Sequence, residues 1–312
     1  MASSRHQSPT RLDGPVDRPA GPAGKNTGHR ARWASSAWAR LPVLFVLMLA
    51  VGGITGMING IADVTPLTAL ISGTVTSGLA LAAYTWLVRH LEGRRPQELS
   101  LAQARQGLRR GSALGLGLFT VTIALVAMTG GYHIHGWGSI DGALTTLGLM
   151  SCVAVTEELA FRGALFRVLE EKTGTWGALA VSGLAFGALH LGNPDGTIWG
   201  APAIAFGAGL MFGAVYAATR SLWLPIGLHL GWNLAEQGVY GIAVSGSGSG
   251  FGGLLHASVS GPQALTGGGL GPGAGIFAVL VCLVTTSLFL LSAKRRDRIY
   301  TRAVRRVRAR QD

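Results

Sequence analysis

Thr156 to Arg162, Thr-Glu-Glu-Leu-Ala-Phe-Arg, places two carboxylates and a guanidinium inside an apolar segment flanked by Ala143 to Val155 and Ala164 to Leu169. A charge at the centre of a bilayer costs about 2.5 to 3.5 kcal/mol on insertion scales, so three so close together need a compensating reason, and function is the default one. Glu158 and Arg162 are four apart on one helical face with the acid first, the favourable order for an ion pair. Glu157 is turned about 100° from its neighbour, and the same pairing does not satisfy it. One carboxylate is braced and the other is free. A free carboxylate in a water-poor site is a candidate general base.

Three further polar residues lie in later apolar runs. His190 ends Phe186-Gly-Ala-Leu-His190, while His229 and Asn233 bound His229-Leu-Gly-Trp-Asn233 and share a helical face. Counting about 1.5 Å per residue from expected inner ends near 171, 176 and 221, Glu157 and His190 lie about 21 Å deep, Asn233 about 18 Å and His229 about 12 Å. Residues far apart in sequence thus fall in one layer, and an intramembrane site is the economical explanation. On adjacent turns Gly183, Gly187 and Gly231 leave room for another helix or a substrate backbone.

A carboxylate, two imidazoles and a carboxamide at one depth suit the attack of water on a carbonyl. Glu157 removes the proton, His190 orients the water, and His229 with Asn233 donates to the developing oxyanion. That is peptide hydrolysis without a covalent nucleophile. Glu157, His190 and His229 are also the ligand types of zinc hydrolases, so a divalent metal gathered by these three stays open. A non-enzymatic alternative is a proton-coupled transporter using Glu157, Glu158 and His190, or an immunity or interaction protein with an idle site. No internal repeat with paired broken helices supports the transporter.

The elements that must position these residues are membrane spans. The chain has 312 residues, 48% hydrophobic and 13% charged, with a net charge of +12, and its mean hydropathy is +0.39. Its 26 Lys and Arg concentrate in three blocks, seven in 1–40, six in 89–110 and nine in 294–312. Between the blocks lie apolar runs of spanning length at 41–62, 67–88, 111–129, 142–169, 176–192, 201–218, 221–242 and 275–292. The expected fold is all-α, a polytopic membrane protein in which about eight transmembrane helices form a bundle around an intramembrane active site. With both termini cytoplasmic, the three blocks and Arg167, Lys172 and Arg220 fall inside, and the outer loops carry no Lys or Arg. The expected location is therefore the cell membrane, as a multi-pass protein.

The domain reading follows the same pattern. Residues 1–40 are a disordered basic cytoplasmic tail, 41–142 hold three helices and a basic loop, and 143–242 form the catalytic core of four helices. A flexible Gly/Ser-rich outer loop, 243–274, precedes the last span, 275–292, and a basic cytoplasmic tail, 293–312. Leu99 to Leu108 suits an interfacial amphipathic helix or a solvated loop, and Gly56 with Gly60 is a close-packing signal. The cations flank spans, so anionic headgroups rather than nucleic acid are their expected partners. Cys152 and Cys282 lie inside spans and read as buried small hydrophobes. His133 and His135 read as polar residues of an outer turn.

Glu157-Glu158-xxx-Arg162, Phe186-xxx-His190 and His229-xxx-Asn233 resemble, in order and spacing, the three motifs of the CPBP family. These are the CAAX prenyl endopeptidase-like and bacteriocin-processing (Abi) intramembrane proteases. The likeness extends to Glu-Glu-Leu-Ala-Phe-Arg-Gly at 157–163 and Leu-Trp-Leu-Pro-Ile-Gly-Leu-His at 222–229, and covers about 143–242. The resemblance implies an all-helical bundle whose site opens toward the cytoplasm and a membrane-anchored or lipidated peptide as substrate. It also implies Glu157 as catalytic glutamate, His190 as its partner, His229 and Asn233 as oxyanion donors, and Glu158 with Arg162 in support. Members are often called metalloproteases, yet the chain has no His-Glu-x-x-His motif.

Overall fold

A computed structural model describes residues 36–62, 65–244 and 252–301. Most of both basic tails and the Gly-Ser-Gly-Ser-Gly run at 246–250 lie outside the described residues. Helix α1 spans Ala37–Ala62 and α2 spans Pro66–Leu87. Thr65 starts α2 with a reciprocal cap, its hydroxyl accepting from the Thr68 N–H while the Thr68 hydroxyl accepts from its own, and Pro66 takes the first position. Helix α3, Leu101–Met128, is followed by strand β1, Tyr132–Trp137. Helix α4, Ile140–Glu158, runs through a π-helical stretch, Leu159–Phe166, into α5, Arg167–Leu189. Short α6, Gly200–Ile204, continues through Ala205–Gly209 into α7, Leu210–Thr219. Helix α8, Trp223–Asn233, extends to Val239; strand β2, Leu255–Val259, helix α9, Gln263–Thr266, and helix α10, Ile276–Arg295, complete the described chain.

Six stretches among the described residues are long and apolar enough to cross a membrane. The stretch Ile140–Gly192 is 53 residues long and folds back at Gly174, where φ is 77°, a conformation that favours glycine; it therefore supplies two legs. The shorter leg Trp223–Val239 brings the described helical legs to the eight expected, in an all-α membrane bundle.

The close contacts that fix this bundle are between backbones. A Cβ on Gly111 would meet Leu224 O at 2.4 Å and one on Gly115 would meet Leu228 O at 2.1 Å, while Gly227 and Gly231 of α8 sit equally tightly on Leu108 and Ser112 of α3. Without a hydrophobic force between helices in lipid, such small-residue faces are what permits dense packing. Gly183 likewise abuts Gly209, and Gly187 abuts Ala201, so these glycines receive neighbouring helices rather than a substrate. Gly56 and Gly60, the expected packing pair, meet nothing within 4 Å.

Three other expectations change. The basic loop 89–110 is largely helical: α2 continues to Glu92 and α3 begins at Leu101, carrying the amphipathic residues up to Leu108 as its first turns. The outer loop 243–274 is organised from 252 onward, because β2 pairs antiparallel with β1 and satisfies the edge of that strand. His133 and His135 therefore lie in a strand, each ring bonded to a serine, Ser260 and Ser258. Finally, several cations expected at headgroups are paired internally. Glu92 binds Arg40, Arg94 and Arg167, Glu98 binds Arg94, and Glu170 binds Arg220. The Tyr84 hydroxyl shares its one proton between Glu98 Oε1 at 2.7 Å and Gly163 O at 3.0 Å, tying this network to the segment that carries Arg162. Burial pushes the Glu98 carboxyl up, but the hydrogen bond and charge of Arg94 and the charge of Arg167 outweigh it and hold it below the usual carboxylate range.

Candidate active site

Glu157 and Glu158 close α4 just where the helix widens into its π-helical stretch, a distortion frequent at functional sites. Glu158 and Arg162 are fully buried, and Arg162 Nη1 donates to Glu158 Oε1 at 2.9 Å, the bracing pair that the spacing predicts. Arg162 Nη2 donates to Gly209 O at 3.1 Å, which fastens the pair to the helical stretch Ala205–Gly209 between α6 and α7. The guanidinium faces three aromatic rings, with its carbon 4.5 Å from the Phe186 centroid, 5.0 Å from Phe212 and 5.9 Å from Phe161. Ring faces compensate part of the lost hydration of a buried cation.

Glu158 has a second partner. His229 Nδ1 lies 3.0 Å from the same Oε1, so one carboxylate oxygen receives both Arg162 and His229. With Nδ1–H donating to Glu158, Nε2 becomes the free ring atom, and it stands 3.9 Å from Glu157 Oε2. The ring is stacked on Phe212 at 4.7 Å and 21°, which leaves it little freedom to turn. Glu157 is set apart from Glu158 as expected. Its side chain keeps 23% of its exposure and its Oε2 has no hydrogen-bond partner among the described residues.

His190 caps the end of α5 and donates from Nδ1 to Phe186 O at 2.8 Å, leaving Nε2 as an acceptor. Asn233, one turn beyond His229, donates from Nδ2 to Met150 Sδ at 3.6 Å, a weak bond that is easily exchanged for a stronger acceptor. His190, His229 and Asn233 line one cavity of about 20 Å³ for the centre of a water molecule, which is room for a single water. Phe186 and Phe212 wall it, and Gly273 joins them from the segment before α10. Glu157 does not line this cavity; it reaches the cluster through His229. A larger apolar cleft of about 270 Å³ lies by Trp176, Leu210 and Leu290 and shares none of these side chains.

The structure therefore joins Glu157, Glu158, Arg162 and His229 directly, and His190 and Asn233 to His229 across the cavity. Among the described residues no three His, Cys, Asp or Glu side chains gather into a metal-ligand set. Sequence reasoning missed Glu236 and Gln237, both buried beyond Asn233 on the extension of α8. The signal was present, since a carboxylate inside the run 221–242 carries the same insertion cost that singled out Glu157.

The family model described as type II CAAX prenyl endopeptidase Rce1-like matches residues 139–235, the segment that contains all six of these polar residues. No curated protein and no solved structure gives a significant match to the chain. Motif and matched segment coincide: residues 139–235 are similar to the CAAX prenyl endopeptidase family, and the match supports the likeness that the three motifs carry.

Proposed function

We propose that the protein is an intramembrane endopeptidase that hydrolyses a peptide bond of a membrane-anchored or lipidated protein by a glutamate-activated water. The observation that carries this reading is the division of labour between the two carboxylates. Glu158 is buried and committed to Arg162 and His229, while Glu157 stands beside His229 with an oxygen free to take a proton. The water-sized cavity bounded by His190, His229 and Asn233 supports the rest. In the proposed step His190 Nε2 accepts one hydrogen of the water and fixes its position, and the Glu157 side chain turns past His229 to reach this water and takes its other proton as the oxygen adds to the scissile carbonyl. Asn233 Nδ2–H and His229 Nε2–H, when that nitrogen is protonated, donate to the oxyanion. Collapse breaks the C–N bond, and the proton held by Glu157 passes to the leaving amine.

On this reading the arginine-rich end of the bundle is cytoplasmic and both termini lie on that side of the cell membrane. The test is cleavage of membrane-anchored and farnesylated reporter peptides by purified wild type and Glu157→Gln, each with and without chelator. Cleavage by wild type that survives the chelator and is lost in the variant is the expected result. Equal cleavage by the variant rejects the assignment, and loss to chelator restored by zinc replaces it with metal-assisted hydrolysis.

A further inference from the structure

Glu236 lies three residues beyond Asn233, on the extension of α8 and one residue past the segment matched by the family model. It is fully buried, and no Lys, Arg or His pairs with it among the described residues. A carboxyl in such a place costs free energy that a leucine would not. Its Oε1 accepts the backbone N–H of Gly273 at 3.0 Å, and the Trp232 side chain is the other hydrogen-bonding group beside the carboxyl among the described residues. The segment that supplies this N–H is shaped around the carboxyl. A Cβ on Gly273 would stand 3.0 Å from Oε2 and 3.1 Å from Oε1, and one on Gly271, where φ is 78°, would stand 3.0 Å from Oε1. Beside them Leu270 is buried against Gly200 of α6, where an added Cβ would lie 1.6 Å from Leu270 Cδ1.

Gly273 also walls the cavity between His190, His229 and Asn233, and it does so from outside the helices that carry those side chains. We propose that Glu236 is a positioning residue that latches the segment 270–275 over this cavity through the Gly273 N–H, and so keeps it to the size of one ordered water. A directed acceptor explains why a costly carboxyl occupies a position that packing alone would fill with an apolar side chain. Its effect on cleavage rests on the protease reading above; the latch itself does not.

The test uses the full chain in detergent with Cys152→Ala and Cys282→Ala, and a single reporter thiol from Ala274→Cys, which is buried in the latched segment. The rate of reaction with a water-soluble maleimide reads how often the segment lifts. Glu236→Leu removes the acceptor and is expected to speed labelling about tenfold. Glu236→Gln keeps an oxygen for the same N–H and is expected to rescue the slow rate. Gly273→Ala pushes against the carboxyl from the other side and is expected to speed labelling like the leucine variant; it decides the matter if the leucine variant is not monodisperse. Labelling at the parental rate in the deciding variant, or glutamine as fast as leucine, overturns the latch. In reporter cleavage the leucine variant loses about tenfold in kcat with KM unchanged, as expected for disordering of the attacking water. Faster labelling in a protein whose parent cleaves no reporter would reject the protease reading and leave the latch standing.

Discussion

Glu158 and His229, 71 positions apart, meet at 3.0 Å through the same carboxylate oxygen that Arg162 reaches from four positions along its own chain. A local pair made within one helical segment thereby becomes the mount for an imidazole on another helix. The pair is not a stability device in itself, since two buried charges cost several kcal/mol each in lost hydration and only recover it by mutual contact. Its consequence is orientation: the His229 ring is fixed at Nδ1 by Glu158 and on its face by Phe212.

Arg162 is therefore expected to be indispensable for folding. Arg162→Leu leaves Glu158 buried without its cation and should cost about 3 to 5 kcal/mol, read as a fall in the thermal midpoint of detergent-solubilised protein. Arg162→Lys should recover little of this, because an ammonium has no planar fork to span Glu158 Oε1 and Gly209 O at once. Full recovery by lysine would show that charge alone is what the site needs.

Asn233 separates catalysis from stability. Its only hydrogen bond among the described residues is the weak one to Met150 Sδ, so Asn233→Ala should leave the thermal midpoint within about a degree or two of wild type. On the oxyanion reading the same variant loses about 100- to 1000-fold in kcat toward a reporter peptide, with little change in KM. A variant that cleaves at the wild-type rate would remove Asn233 from the mechanism.

The network around Glu98 gives a pH dependence with a definite sign. Its carboxyl titrates lower in the folded protein than in the unfolded chain, so the unfolded state takes up its proton first as pH falls. The stabilisation is complete above the ordinary glutamate value of about 4.3 and is lost progressively as pH drops below it toward the depressed value. Thermal midpoints measured across that window should fall more steeply for wild type than for Glu98→Gln. Parallel slopes would mean that the Arg94 pairing contributes nothing to the acid limb.

The sequence by itself was enough for the membrane class, the helical legs and the six polar residues of the core. Lipid allows few backbone solutions, and a charge or imidazole in an apolar run stands out against its surroundings. The i,i+4 spacing was enough for the Glu158 and Arg162 pair, because both partners lie on one local element. Tertiary structure alone decided what couples elements. It assigned His229 to Glu158 as well as leaving it near Glu157, and it put Gly273, from a stretch that composition marks as flexible loop, into the wall of the cavity. It also turned the close packing from Gly56 and Gly60 to Gly111 and Gly115, since a small-residue motif states that a backbone can approach but not which one does. Contacts of this kind depend on how helices rotate and dock against one another, and a one-dimensional pattern carries the period of a helix without the partner that its face will meet.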